Sequence, residues 1–511
     1  MVNPLPGELL QLKKEAGRQR QNPVLWQKLA QRCVELALPA EAHDAFLHLT
    51  RLQPDNGAAW FGLANQAYLL GQYPQALDGF MKALSINPAS AEIRNNLALL
   101  LAGLGELSLA EQLWLEALDS RPDYQDALNN LGNLYRDCRQ FEQAHLCLET
   151  ALQLAPDSAR VMTNLGLLLK AEGRLDEALT IYRQALDQAG DPPPELPYNY
   201  SIALIQSGEW LRGFRWYEQR WALPRLAARK QDMDAQLPAW QGEYLAGKTL
   251  LLWQEQGLGD TLQMVRLLPL WRARQPECRV VLRVAPPLLR LLAGLPGVDL
   301  LLDTQAPLPP ADFHLSLMSL PMQLQLTPDT LPPFAPYLAA DPALTARWAP
   351  SLPARRGRPR LGLVWQSGQA GTGADERDRQ ARSLSHEVLH ALLSSLDADW
   401  VSLQFGAEAL PDELQAMLAQ PALTDFADSA AILGQLDGLV TVDTAAAHLG
   451  AAMGLPTVVL MSALGGNLFP AEGERMPWYP SMRLLRQQTL HDWQNVLQVL
   501  PEVLSTLLEP Q

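Results

Sequence analysis

Proline stands at Pro54, Pro88, Pro122 and Pro156, at a constant interval of 34 residues. Alanine keeps the same step at Ala42, Ala76, Ala110, Ala144 and Ala178, with a large aromatic nearby at Phe46, Phe80, Trp114 and Tyr182. Within one unit, NNLGNLYRDCRQFEQAHLCLETALQLAPDS has a small-residue contact at Gly132, a turn near Cys138 to Gln140, and a second amphipathic helix up to Ala155. Trp26 and Trp60 mark the first helices of their own units. A fixed period of this length leaves each helical pair unable to bury its apolar face alone, so successive pairs must stack.

This period and its helix-turn-helix content resemble the tetratricopeptide repeat. The expectation is an all-α solenoid over 1–221, with about five regular units and a degenerate sixth from Tyr198 to about Trp221, after DPPPELP breaks the period. Such a stack presents a concave surface that suits a protein or peptide partner. Asn95, Asn129, Asn130 and Asn164 recur on the first helices of successive units. There their amides either hold the backbone of a bound acceptor peptide or cap and space helices.

The chain has 511 residues, too many for one core, and 48% of them are hydrophobic. A formal net charge of -15 argues against nucleic acid or an anionic membrane as the main partner, since either needs a basic face. The densest basic cluster, Arg355, Arg356, Arg358 and Arg360, lies among prolines and reads as a linker. Cys33, Cys138, Cys147 and Cys278 form no CxxC pair, which fits a reduced, cytoplasmic setting. No apolar run approaches a membrane span and the N-terminus lacks an apolar signal core, so no membrane span is expected.

After a connection over 222–247 the pattern changes to short apolar runs alternating with amphipathic helices. Thr249 to Trp253, Arg279 to Val284, Leu300 to Leu302 and Phe313 to Met318 read as strands of one lobe, 248–353. Leu361 to Trp365, Trp400 to Gln404, Leu439 to Val442 and Thr457 to Met461 read as strands of a second, 354–511, which ends in a helix. Alternation of this kind gives parallel, doubly wound sheets, whose ligands bind at the carboxyl ends of the strands.

The second lobe contains DGLVTVDTAAAHLGAAMGLPTV, from Asp437 to Val458. A strand closed by Asp443 and Thr444 leads straight into a small-residue helix, whose free amides and dipole suit a phosphate. Thr444 is expected to cap and donate, Ala445 to keep bulk away, and His448 to donate from one turn in; the alternative is an ordinary strand-to-helix unit with a buried histidine. Ser367 and Gly368 follow the lobe's first strand, and Gly371 to Gln380 reads as a mobile polar loop ending near Arg382 and Ser383. In the first lobe, Gly257 and Gly259 permit a close turn before Asp260, which is either a helix cap or a base aimed into the cleft, with Glu255 as its competitor.

With EQGLGDT, GLVWQSG, RSLS, VSLQ, VDTAAAHLGAAMGLPTVVLM and PWYPSMRLLRQ in order, the second half resembles the heptosyltransferase-like glycosyltransferases. More closely, the chain is similar to bacterial proteins that join tetratricopeptide repeats to such a domain. The resemblance implies a GT-B fold of two Rossmann-like lobes and inverting transfer from a nucleotide-sugar co-substrate, with no other cofactor and no metal. It implies Asp260 as base, and Ser367, Gly368, Arg382, Ser383, Gln404, Asp443, Thr444, Ala445 and His448 on the donor side. Gly257 and Gly259 fall on the acceptor side, and a protein hydroxyl recruited by the repeats is the implied acceptor. The chain departs from the family in offering Arg377, Arg379 and Arg382 where a lysine is usual, and SALGGNLFPAEGERM from Ser462 where a tryptophan-rich segment is common. Those departures support an alternative, a repeat scaffold with a degenerate transferase domain, whereas the joint presence of the GD pair at Gly259 and Asp260 and the DTxxxH turn at Asp443 to His448 favours the enzyme.

Two further motifs carry no weight. HEVLH at His386 to His390 matches a zinc-protease helix, but Leu389, Leu392 and Leu393 already give that helix a core face and no third ligand motif follows. Asp397 and Asp399 form a DxD pair in a turn, where exposed aspartates are the default.

Overall fold

The computed structural model describes residues 7–368, 379–406, 410–463, 465–466 and 468–509. Most of the loop from Gly371, including Arg377, lies outside them. By its contacts the chain divides into two compact units at the Pro156–Asp157 junction.

The first unit is a series of antiparallel helix pairs: Pro23–Glu35 with Pro39–Leu52, Gly57–Leu69 with Tyr73–Ile86, Ala91–Leu104 with Leu107–Ser120, and Gln125–Asp137 with Phe141–Leu154. The recurrent prolines fall just beyond the second helix of a pair, where the lost amide ends the helix. Asn56 and Ser90 cap the next helices by accepting from Ala59 N–H at 3.1 Å and Ile93 N–H at 3.3 Å. Ala42, Ala76, Ala110 and Ala144 are wholly buried, because the paired helix comes too close for anything larger. Gly132 obeys the same restriction, since a Cβ there would lie 2.7 Å from the Leu148 side chain.

The asparagines of this unit form a ladder. Asn95 Oδ1 accepts from Trp114 Nε1 at 3.1 Å and from Asn130 Nδ2 at 3.0 Å, while its Nδ2 donates to Asn96 Oδ1 at 3.0 Å. Asn96 in turn donates to Asn65 at 2.8 Å, so the chain of amides joins three successive units. This corrects the expectation of a peptide contact at Asn95: its amide is consumed inside the array. Asn129 is buried and Asn130 half-buried.

The second unit contains the pairs Ala159–Ala171 with Leu175–Gln188 and Glu195–Gln206 with Trp210–Tyr217 together with the α/β part. Helix Pro224–Asp234 occupies much of the connection. The first sheet contains β1 (Thr249–Trp253), β2 (Arg279–Val284), β3 (Leu300–Asp303) and β4 (Phe313–Ser316), all parallel in the order β3-β2-β1-β4. The second contains β5 (Arg360–Val364), β6 (Asp399–Ser402), β7 (Leu418–Ala419), β8 (Gly438–Val442), β9 (Thr457–Met461), β10 (Arg475–Met476) and β11 (Tyr479–Arg486). Its order is β10-β11-β9-β8-β5-β6-β7, parallel except for β10 against β11. β5, β6, β8 and β9 are buried at every residue, as helices on both faces of a parallel sheet require.

Two surface expectations change. The arginine cluster is pinned to the second lobe: Arg355 pairs with Asp437 at 2.6 Å, Arg358 with Asp397 at 2.9 Å and Asp399 at 2.6 Å, and Arg360 is buried at the start of β5. Asp399 is buried as well, so only Asp397 of the DxD pair behaves as an exposed turn residue.

Candidate functional site

The facing carboxyl ends of the two sheets enclose a cleft of ≈ 910 Å³. From the first lobe it is lined by Gly257, Gly259 and Asp260, and from the second by Ser367, Gly368, Arg382, Gln404 and the turn Asp443 to Ala446 with His448. Ser383 stands outside that lining, and Asn164 and the first-unit asparagines form no part of it.

The strand-to-helix turn after β1 delivers Asp260 as the third residue of helix Leu258–Met264. Its Oδ2 accepts from Gly257 N–H at 2.9 Å, which fixes the carboxylate across the helix start. Burial raises its pKa to about 6, and the negative charges of Asp443 and Glu255 add to the rise against the opposing Gly257 hydrogen bond. Gly259 is needed for close approach: a Cβ there would lie 2.8 Å from His448 Cδ2 and 3.4 Å from Ala445 Cα. Asp260 therefore sits directly beside the start of helix Ala445–Ala452.

Glu255 is not an alternative base. It is buried, receives Arg220 Nε at 2.8 Å and Nη2 at 2.7 Å, and accepts further bonds from Ser316 Oγ and Gln256 Nε2. Burial alone would raise its pKa, but the bonds and charge of Arg220 together with the bonds from Ser316 and Gln256 hold it below the ordinary value. With its oxygens committed, the carboxylate anchors the glycine turn to the buried guanidinium.

On the opposite wall, several side chains expected to touch the ligand hold the turns instead. Thr441 Oγ1 donates to Val442 C=O at 2.7 Å, so the Thr444 hydroxyl donates to Thr441 Oγ1 at 2.9 Å and makes no side-chain cap to the helix. Ser367 Oγ donates to Asp443 C=O at 3.1 Å, and Ser383 Oγ donates to Arg379 C=O at 2.6 Å while accepting from Ser367 N–H at 3.1 Å. Gln404 Oε1 accepts from the amides of Trp365 and Gln366 at 3.2 and 2.9 Å and so latches the end of β5. What remains open is backbone: the amides of Ala445 and Ala446 meet no acceptor among the described residues, and Gly368 has φ +66° with nothing within 4 Å of a would-be Cβ. Arg382 lies 3.8 Å from Asp443 and supplies positive charge at the same end.

His448 is buried, with its ring against Phe469 and Tyr479. Loss of hydration drives its pKa down to about 4, so the imidazole is neutral near pH 7.

Sequence reasoning missed several lining residues. Tyr217, from the degenerate sixth repeat, reaches the cleft and receives Gln256 Nε2 at 2.5 Å. Phe405 and Phe426 form an apolar wall, stacked at 5.5 Å. Gln263, one turn beyond Gly259, borders the cleft at 1% exposure, and neither atom of its amide has a partner among the described residues. Only its position three residues after Asp260, on a shared helix face, was available as a signal. At the HEVLH helix His390 lies 3.3 Å from Glu413, and among the described residues no group of three or more His, Cys, Asp or Glu side chains is placed to hold a metal.

Fold and cleft together define a repeat protein joined to an α/β region that contains a cleft. Tetratricopeptide repeat models match residues 28–91, 90–121 and 123–190, so the N-terminal region carries tetratricopeptide repeats. The chain is 26% identical over 351 residues, 63% of its length, to Protein FlbA of Caulobacter vibrioides, and spans 57% of that protein. Among solved structures, PilW, described as a widely conserved type IV pilus biogenesis factor, is similar over 39% of this chain and 93% of its own, with 21% identity and a TM-score of 0.36. TTC0263, a thermophilic tetratricopeptide-repeat protein of Thermus thermophilus, is similar over 36% of this chain and 100% of its own, with 25% identity and a TM-score of 0.33. Among the described residues no helix is long and apolar enough to cross a membrane.

Proposed function

We propose that the α/β part is a glycosyltransferase of the GT-B type, moving a sugar from a nucleotide-sugar donor to a hydroxyl of a protein acceptor held by the repeats. The carrying observation is a carboxylate of raised pKa placed beside a helix start whose first amides are free. In the proposed reaction the acceptor oxygen attacks the anomeric carbon and forms the new glycosidic bond. Its proton passes to Asp260, and the bond from that carbon to the diphosphate oxygen breaks. The nucleoside diphosphate leaves with the bonding pair, its charge met by Ala445 and Ala446 N–H, the helix dipole and Arg382. One displacement inverts the anomeric centre, and the charge is met without a metal ion. Phe405 and Phe426 offer the apolar wall a nucleobase needs.

A second reading has a specific observation behind it. Ser367, Thr444 and Gln404 spend their polar groups within the protein, as they would in a domain kept for packing beneath a repeat scaffold. Melting curves with UDP, GDP, ADP, CDP and CMP separate the two, because a ligand of the folded state raises Tm. The transferase reading expects one nucleotide to stabilise wild type and Asp260→Asn alike, with release of nucleoside diphosphate from its sugar conjugate falling about 100-fold or more in the variant. Undiminished turnover in Asp260→Asn would refute the assigned base, and no shift with any nucleotide would favour the scaffold.

A further inference from the structure

We infer that His448 is a fixed hydrogen-bond acceptor in the cleft, so that it reads a hydroxyl of the bound sugar rather than a phosphate oxygen. The ligand class rests on the transferase reading; the proton assignment does not.

Tyr337 O–H lies 2.8 Å from Leu262 C=O, 3.1 Å separate the hydroxyls of Tyr337 and Tyr479, and 3.3 Å separate Tyr479 O–H from His448 Nδ1. A carbonyl can only accept, so Tyr337 spends its single proton on Leu262. Tyr479 must then donate to Tyr337, which leaves its oxygen with lone pairs alone toward the imidazole. All three bonds form only if Nδ1 carries the hydrogen of His448. Nε2 then holds a lone pair. The residue is 6% exposed and lines the cleft, and Nε2 has no partner among the described residues. The relay starts on helix Leu258–Met264, the one that carries Asp260, so the tautomer is set by the same packing that places the base.

A lone pair repels a phosphate oxygen and accepts from an O–H. Phosphate is left to the amides of Ala445 and Ala446, while His448, one turn further in and against Gly259, faces the part of the ligand nearer Asp260. In a nucleotide sugar that part is the polyhydroxylated ring. The ring hydroxyl and the ribose hydroxyls share one chemistry, and comparison of a nucleotide sugar with its bare nucleotide separates them.

The test uses the full chain in two arms. Nitrogen NMR of protein labelled in its 8 histidines, with His448 assigned by its loss in His448→Asn, is expected to show a pyrrole-like Nδ1 and a pyridine-like Nε2 at pH 7. The reverse pattern, or an imidazolium, overturns the inference. Calorimetry then compares UDP with UDP-glucose, GDP with GDP-mannose and ADP with ADP-glucose, on wild type and His448→Asn, which retains a donor toward Tyr479. The expected result is unchanged affinity for the bare nucleotide and about tenfold weaker binding of its sugar conjugate. Equal weakening of both would assign His448 to the phosphates or ribose and overturn the inference. If wild type binds no nucleotide at all, the transferase reading fails together with the sugar assignment, while the NMR arm still decides the tautomer.

Discussion

At the scale of single residues, the cleft is defined by which polar atoms remain unspent. Asp260 titrates near 6 against an ordinary 3.8, so burial costs the folded state stability whenever the carboxyl is ionised. That cost is full above about pH 6, shrinks as the pH falls through 6, and is absent below about 4, where folded and unfolded chains are both protonated. Asp260→Asn should therefore melt higher than wild type at pH 8, with the difference closing towards pH 4; parallel curves across that range would contradict the burial. If Asp260 is the base, turnover should drop about tenfold per unit below pH 6. Gln263 makes the complementary case, because an amide buried without partners costs about 1–3 kcal/mol. Gln263→Met keeps the volume and removes the cost, so the ligand-free protein should be stabilised by about 1 kcal/mol. A lower Tm would mean that the amide is satisfied within the fold. Asp260 was legible in the sequence as a candidate base, but its raised pKa and the unpartnered amide of Gln263 were not. The motif order put Thr444, Ser367 and Gln404 on the cleft wall, but their bonding depends on partners such as Thr441 and the amide of Gln366, and motif spacing says nothing about where a hydroxyl sends its proton.

At the scale of elements, the sequence was most informative where packing is uniform. Apolar runs such as Thr249–Trp253 and Thr457–Met461 coincide with β1 and β9 because parallel strands covered on both faces need unbroken hydrophobicity. β11 was not anticipated, since YPSMRLLR mixes proline and arginine into the run and is held by pairing with β9. β7, two residues long, gave no periodic signal at all. Gly259 was read as a turn residue, but it is the second residue of helix Leu258–Met264 and its constraint is tertiary: that helix crosses helix Ala445–Ala452 there with no room for a methyl. Gly259→Ala should push the two helices apart at a cost of about 1–3 kcal/mol and blunt any nucleotide-induced rise in Tm. An unchanged Tm and a full nucleotide response would show that His448 gives way freely.

At the scale of the whole molecule, repeat periodicity ends near Trp221, whereas the packing of the cleft begins earlier. Trp210 stacks on Trp478 at 5.4 Å, Gln206 Nε2 donates to Gly466 C=O at 3.0 Å, and Arg220 is wholly buried against Glu255. The helix pair of the sixth repeat thus touches the cleft-lining segments of both lobes, and Tyr217 extends it into the cleft. A fragment of residues 157–511 should therefore fold cooperatively and keep whatever nucleotide response the full chain has. One of residues 248–511, cut where the α/β pattern starts in the sequence, should aggregate or melt without cooperativity, because it strips Arg220 from Glu255 and bares Trp478. Arg220→Met in the full chain isolates the ionic part of that loss. It leaves a buried carboxylate without its cation, which costs about 3–5 kcal/mol, and it frees the residue that anchors the turn leading to Asp260. If 248–511 instead melts as sharply as 157–511, the sixth repeat is an appendage and the lobes hold their cleft without it.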